Sequence, residues 1–169
     1  MVLDTSAFLC GFDPFSISEE QITVPEVESE IKTNSMSWTR FKAAVENGKV
    51  KVKKPSNEHW NKVKEVAKKV GDAFFLSETD LQILALASEL NTENGTPKIV
   101  TDDYSIQNVA TQLGIEFVSL TTFGISRFLK WIRYCPACRK KYAADFKSTI
   151  CDVCGTDLKR KPQKPQKIE

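Results

Sequence analysis

Short apolar runs alternate with amphipathic stretches from residue 1 to about 120, and this alternation narrows the possible folds more than any other feature. Val2-Leu3, Ile22-Thr23-Val24, Val50 to Lys53, Lys98 to Thr101 and Glu116 to Leu120 predict strands. Between them, Trp38, Phe41, Ala44 and Val45 recur at helical spacing before Asn47-Gly48, and Trp60, Val63, Val66, Ala67 and Val70 form a stripe ended by Gly71. Leu81 to Leu90 is apolar nearly all round, which predicts a buried helix. Ile106, Val109, Ala110 and Leu113 predict a further helix before Gly114. Strands separated by helices imply a parallel α/β sheet with helices on both faces; strand order does not follow from the pattern.

With 169 residues the chain holds one domain and a small appendage. Charge is divided along it. Residues 1–126 carry 12 Lys and Arg against 18 Asp and Glu, a net of −6, whereas residues 127–169 carry 12 against 4, a net of +8. An acidic body with a basic end suggests separate tasks, the basic part meeting a polyanion. The expected organisation is a domain over 1–120, a linker helix over 121–133, a cysteine module over 134–157 and a basic tail over 158–169. In the linker, Ile125, Phe128, Leu129 and Ile132 share one helical stripe, and Arg127 and Lys130 face the other way. That basic face is either solvated or turned toward nucleic acid. The Lys/Pro/Gln-rich tail has no means of building a core and is expected to be disordered. No apolar stretch is long enough to cross a bilayer, and MVLDTSAFL lacks the basic region of a signal peptide. A soluble, reducing, cytoplasmic setting is therefore expected, with no membrane partner.

Cys135-Pro-Ala-Cys138 and Cys151-Asp-Val-Cys154 are two C-x-x-C pairs twelve residues apart. Each pair supplies two thiolates on one tight turn, half of a tetrahedral zinc site. Two dozen residues bury too little apolar surface to fold alone, and structural zinc contributes roughly 10–16 kcal/mol of apparent binding free energy. Four sulfur ligands leave no position for water, so the expected role of Zn²⁺ is structural. Cys10 has no pair and is expected to be a small core residue; His59, the single histidine, is expected at a surface or boundary.

Four acids occupy comparable places. Asp4 ends the first strand, Glu30 lies in the helix after the second, Asp80 begins the buried helix, and Asp103, beside Asp102, follows the fourth strand. Ligand sites in open parallel sheets form beyond the carboxyl ends of the strands. At about 5 Å and an effective dielectric near 20, each like-charge pair repels by roughly 3 kcal/mol, which a divalent cation relieves. Oxygen donors without histidine or thiolate indicate Mg²⁺ or Mn²⁺. Helix capping is the competing explanation: Asp4 and Asp103 for their own helices, Ser77 with Asp80 as a capping box. Spacing does not choose between Glu26 and Glu30.

LDTSAFL, VPEVESEI, LSETDLQILALA and VTDDYSIQNVA together resemble the PIN-domain ribonucleases, over residues 1 to about 120. A PIN domain followed by a zinc ribbon and a basic tail is similar to the branch that matures the 3′ end of small-subunit ribosomal RNA, in a compact, archaeal-type form. The resemblance implies a metal-dependent endoribonuclease whose acids map onto Asp4, Glu30, Asp80 and Asp103. It thus selects Glu30 over Glu26 and Asp103 over Asp102. It further implies precursor rRNA or a pre-ribosomal particle as partner and no nucleotide cofactor. Thr5, Ser6 and Thr101 would orient carboxylates or water. RNA contacts are expected from Arg127, Lys130, Arg139, Lys140 and Lys141 and from Lys159, Arg160 and Lys161 of the tail. Two other readings are a non-catalytic RNA-binding assembly factor, in which the acids are helix caps, and a PIN nuclease of toxin type acting on another RNA.

Overall fold

The computed structural model describes residues 1–93, 95–121, 127–128, 130–163 and 166–167. Strands β1 (Val2–Leu3), β2 (Gln21–Thr23), β3 (Val50–Val52), β4 (Lys98–Val100) and β5 (Glu116–Val118) form one sheet in the order β3-β2-β1-β4-β5. Every pairing in it is parallel. The centre falls to β1 because Val2 and Leu3 are fully buried, with no polar residue to turn toward water. Its edges carry charge: Lys51 on β3 pairs with Glu20, and Lys98 on β4 meets Glu116 on β5 at 3.1 Å.

Six helices join and flank these strands: α1 (Thr5–Leu9), α2 (Pro25–Ile31), α3 (Ser35–Glu46), α4 (Asn57–Val70), α5 (Glu78–Thr92) and α6 (Tyr104–Gln112). As its all-round apolar sequence requires, α5 is central, with Ile83, Leu84, Ala85, Leu86 and Ala87 fully buried. Its partner α4 buries only the stripe Val63, Ala67 and Val70. His59 on α4 is half-buried, with Nδ1 3.1 Å from the Ser88 hydroxyl on α5. None of the described helices is long and apolar enough to cross a membrane.

Beyond residue 126 the structure departs from the expected order. Among the described residues of 127–134 there is no helix. Arg127–Phe128 is β6 and Trp131–Tyr134 is β7; residues 122–126 and 129 lie outside the described set. Nor is the whole tail irregular. Lys159–Pro162 forms β9, antiparallel to β7 from Trp131↔Pro162 to Tyr134↔Lys159, and β8 (Lys141–Tyr142) pairs on the other side of β7. Gln166–Lys167 is β10, paired with β6. Helical spacing over 125–132 competes here with a β-favouring run, Trp131-Ile132-Arg133-Tyr134, whose ladder partner lies nearly thirty residues away. The tail needs no apolar side chains to pair, because a ladder is made by the backbone.

Both parts of the chain meet at Gly71. It ends α4 in the left-handed region, at φ 89°, where a side chain is strained. A Cβ there would also lie 2.8 Å from Ala144 Cβ and 2.9 Å from Trp131 Cβ. Next to it, the buried Asp72 carboxylate accepts from Arg160 on β9 at 2.6 Å and from Asn108 on α6.

Glu89 ties α5 to the loop after β3. It accepts from Lys53 at 2.8 Å and from the Ser56 N–H at 2.7 Å, and Lys53 chiefly holds its carboxyl down at about 2. A carboxyl depressed by folding stabilises the fold above its unfolded value and loses that contribution as pH falls toward the folded one. Thermal melts should therefore show Glu89→Gln less stable than the parent at neutral pH by on the order of 1 kcal/mol, given the solvent around Lys53. The two melting points should converge between about pH 4.5 and pH 2.

Candidate active site and cysteine cluster

Strand order explains why acids distant in sequence gather. The chain leaves β1 toward β2 on one side, and β4 lies on the other, so the carboxyl ends of β1 and β4 flank the point where connections reverse direction. Asp4 leaves β1 there, and Thr101-Asp102-Asp103 leaves β4. The two ends are joined directly: Asp4 N–H donates to the Val100 carbonyl at 3.2 Å.

Asp4 is 4% exposed and heavily hydrogen-bonded. Its Oδ1 accepts from Thr5 N–H at 2.7 Å, and its Oδ2 from the hydroxyls of Ser6 at 2.7 Å and Thr101 at 2.8 Å. Burial nonetheless pushes its pKa above the ordinary carboxylate value, the hydrogen bonds only partly opposing that. Asp80 is also raised, first by burial, with the negative charges of Asp4 and Asp103 adding to the shift. These carboxylates therefore share one electrostatic environment. Glu30, exposed on α2, is joined to the same end of β1 by the Thr5 hydroxyl, which donates to its Oε2.

Three of the four acids are helix caps as well. Asp4 caps α1, Asp103 caps α6 by accepting from Ser105 N–H at 2.6 Å and Ile106 N–H at 3.2 Å, and Asp80 completes a reciprocal capping box with Ser77. Capping occupies only Oδ1 of Asp103 and Oδ2 of Asp80. The remaining oxygen of each accepts no hydrogen bond among the described residues, so one carboxylate can cap a helix and still present a donor to a ligand. Among the described residues no three of these carboxylates bring their oxygens within 4.8 Å of one another. Among the described residues, the four cysteines are the group of three or more such side chains whose donor atoms all lie within 4.8 Å.

Neighbouring acids differ in surroundings. Asp102 accepts from Ser119, from Leu120 N–H at 3.0 Å and from Thr121 N–H at 3.1 Å, which pins the chain after β5. Glu26 lies one turn before Glu30, with a buried Oε2 that finds no hydrogen-bond donor among the described residues. Cys10 is exposed at the end of α1, contrary to the expected core position, because the short helix turns its last residues outward.

The cysteine pairs form two matching turns. Arg139 N–H donates to the Cys135 carbonyl at 3.0 Å and Gly155 N–H to the Cys151 carbonyl at 3.0 Å. Cys135 and Cys151 N–H donate to Lys140 and Thr156 carbonyls, each at 2.9 Å. The residue after each pair has positive φ, 64° at Arg139 and 70° at Gly155. Sulfurs face across the turns at 3.4 Å (Cys135 to Cys154) and 3.5 Å (Cys138 to Cys151), far beyond a disulfide bond. Four Zn–S bonds of about 2.3 Å would set the edges of a tetrahedron at about 3.8 Å, close to this spacing. Cys138 and Val153 N–H groups point at Cys135 and Cys151 sulfurs, each at 3.4 Å. The Tyr142 hydroxyl, 3.0 Å from Cys151 Sγ, chiefly draws that thiol down to about 6. The arrangement is that of a zinc ribbon, with Tyr142, Phe146 and Leu158 as its small core.

The basic residues separate into free and engaged groups. Lys130, Arg139, Lys141 and Lys159 are exposed. Lys140 is held by Asp152 at 2.8 Å, Lys161 lies 4.3 Å from the Tyr134 ring, and Arg160 is taken by Asp72. The Arg127 side chain lies outside the described residues. Asp72 and Asn108 had no signal in the sequence, since they stand 36 residues apart and Arg160 lies 88 residues beyond Asp72.

A family model for the PIN domain of ribonuclease matches residues 1–90. The chain is 39% identical over 160 residues to the endoribonuclease Nob1 of Methanocaldococcus jannaschii, covering 95% of this chain and 76% of that protein. With the endoribonuclease Nob1 of Pyrococcus abyssi it shares 38% identity over 164 residues, 97% of this chain and 94% of the relative. Against the 20S-pre-rRNA D-site endonuclease nob1 of Schizosaccharomyces pombe the match is 37% over 94 residues, 55% of this chain and 24% of that longer one. An acidic site at the reversal point of a parallel sheet, a four-cysteine module and archaeal matches over nearly all of this chain converge on one assignment: the chain belongs to the PIN-domain ribonucleases, in the family of Nob1 endoribonucleases.

Proposed function

We propose that this endoribonuclease cleaves precursor rRNA at the 3′ end of the small-subunit rRNA, acting on pre-ribosomal particles in the cytoplasm. The observation that carries the reading is the shared field of Asp4, Asp80 and Asp103 at the ends of β1, β4 and the start of α5. Burial raises the Asp4 and Asp80 carboxyls, and at Asp80 the charges of Asp4 and Asp103 add to that, a burden to a marginally stable fold unless a cation uses them. Oxygen donors alone, with one unused oxygen each on Asp80 and Asp103, fit Mg²⁺ or Mn²⁺. When bound, such an ion polarises the scissile phosphate and makes a water more acidic.

The chain's own groups supply the rest. Ser6 and Thr101 fix the Asp4 carboxylate in one orientation, and Thr5 holds Glu30 beside it. No side-chain nucleophile is required. Cys135, Cys138, Cys151 and Cys154 hold a structural Zn²⁺, and the exposed Lys130, Arg139, Lys141 and Lys159 supply salt-sensitive contact with RNA phosphates. The name of the fission yeast relative, which specifies a pre-rRNA site, supports this choice of substrate.

Purified protein with Mn²⁺ should cut a transcript spanning the 3′ end of the small-subunit rRNA. Asp4→Asn should lower that rate by at least about 100-fold, since even groups that only orient a metal ligand are worth about 10–100-fold. Thr101→Val, which removes one such orienting hydroxyl, should cost about 10–100-fold when assayed well below its melting temperature, which should itself fall because Asp4 and the Asp103 N–H each lose a buried partner. Equal cutting by Asp4→Asn would remove the carboxylates from the chemistry and favour the assembly-factor reading. Metal analysis should find one zinc per chain. Cys138→Ser should lose that zinc and weaken RNA binding, while the far-ultraviolet signal of the nuclease helices persists.

A further inference from the structure

Between the nuclease sheet and the cysteine module lies a cleft of about 260 Å³ that the carboxylate site does not use, although Lys159 lies on its wall. Phe74 and Phe75 form its nuclease wall, and Trp131, Arg133, Lys159 and Arg160 form the opposite one. Phe74 is 77% exposed and Phe75 57%, adjacent on a loop whose neighbours Asp72 and Leu76 are buried. Fold stability does not account for two neighbouring phenylalanines held in water.

Cations stand over these rings. The Arg133 guanidinium lies 5.3 Å from the Phe74 centroid, and that of Arg160 lies 4.1 Å from Phe75 and 3.7 Å from Trp131. Asp72 neutralises Arg160 and locks its plane between the two rings, so Arg160 builds the wall. Arg133 spends one nitrogen on the Ser148 carbonyl, at 3.1 Å, and Lys159 is exposed, so positive charge remains at the rim. Exposed aromatic faces beside unneutralised cations are how proteins take hold of single-stranded nucleic acid: bases stack and phosphates meet the charge. A double helix could not present its bases here, because they are already stacked and paired.

The cleft also lies near the carboxylates. Phe75 is five residues before Asp80, at most about 18 Å of extended chain. Asp72, behind the cleft, is bonded to Asn108 on the helix that Asp103 caps. A strand with one phosphate at the acids therefore reaches the cleft within a few nucleotides.

We infer that this cleft receives an unpaired base of the RNA substrate, stacked on Phe74 with a flanking phosphate at Arg133. It thereby sets where the single strand lies relative to the acidic site. The inference rests on the endoribonuclease reading of the carboxylates and adds the place where the substrate strand is gripped.

Binding of a fluorescein-labelled single-stranded RNA to the full chain, without Mg²⁺ or Mn²⁺, tests it by anisotropy. Phe74→Ala should weaken binding about 5- to 100-fold, the range of one lost stack. Phe74→Tyr should bind as the parent does, and a duplex RNA of equal length should be indifferent to both. Arg133→Gln should lower the salt slope by about one. Unchanged binding by Phe74→Ala overturns the proposal and leaves the ring pair to a protein neighbour. So does an equal loss on duplex RNA, which reports charge rather than stacking. Mn²⁺-dependent cutting by the unsubstituted protein, measured in parallel, separates the two readings. Cutting without any Phe74 effect on affinity rejects the cleft alone, and a Phe74 effect without cutting rejects the nuclease site.

Discussion

Burial of the Asp4 and Asp80 carboxylates, with the charges of Asp4 and Asp103 adding at Asp80, is the constraint around which the acidic body is arranged. Ionised carboxylates with raised pKa values oppose folding, because each prefers the unfolded chain's hydration once pH exceeds its folded value. The fold answers with donors: hydroxyls of Ser6 and Thr101 on Asp4, the first N–H groups of α1 and α6 on Asp4 and Asp103, and the N–H of Ser77, just before α5, on Asp80. Helix starts already need anions to satisfy their unpaired N–H groups. The two explanations for these residues, cap and ligand, are therefore compatible, since a carboxylate has two oxygens and a cap uses one.

Joining the basic end to this body draws on a different kind of contact. The ladder of β7 with β9 is backbone-made and indifferent to side chains, whereas the seam with the nuclease sheet is selective. Gly71 permits the approach, and Arg160 crosses to Asp72, where both charges lie largely out of water. A buried ion pair adds little net stability, but leaving either partner alone is expensive, so such a pair favours one docking geometry over others. The tail is thus part of the join between the two parts, and one of its cations is unavailable for RNA.

Much of the fold was legible in order and type. The strand runs, the α4 stripe with its glycine cap and the all-round apolar α5 appear where their periodicity puts them. The cysteine spacing was legible for the same reason: each turn is local, and its geometry repeats at Arg139 and Gly155. Where the pattern failed, Trp131–Tyr134 and Lys159–Pro162 take their conformation from each other, as Arg127–Phe128 does from Gln166–Lys167. A helix-like spacing of apolar residues lost to a ladder whose second strand is remote. Cys10 misled because its residue type suits a core, while its place at the end of a five-residue helix faces water.

By itself the sequence determined which residues can bear chemistry: acids following strands, thiols at zinc spacing, cations gathered at one end. Periodicity and short turns are local properties, encoded within a few residues. Tertiary structure decided which of those residues meet. It placed β1 between β2 and β4 so that Asp4 and Asp103 flank one point, withdrew Arg160 to Asp72, and stood Phe74 and Phe75 opposite Arg133 and Trp131. Those outcomes depend on strand order and on packing between segments up to a hundred residues apart, and the free energy that fixes them exists only once the chain has closed on itself.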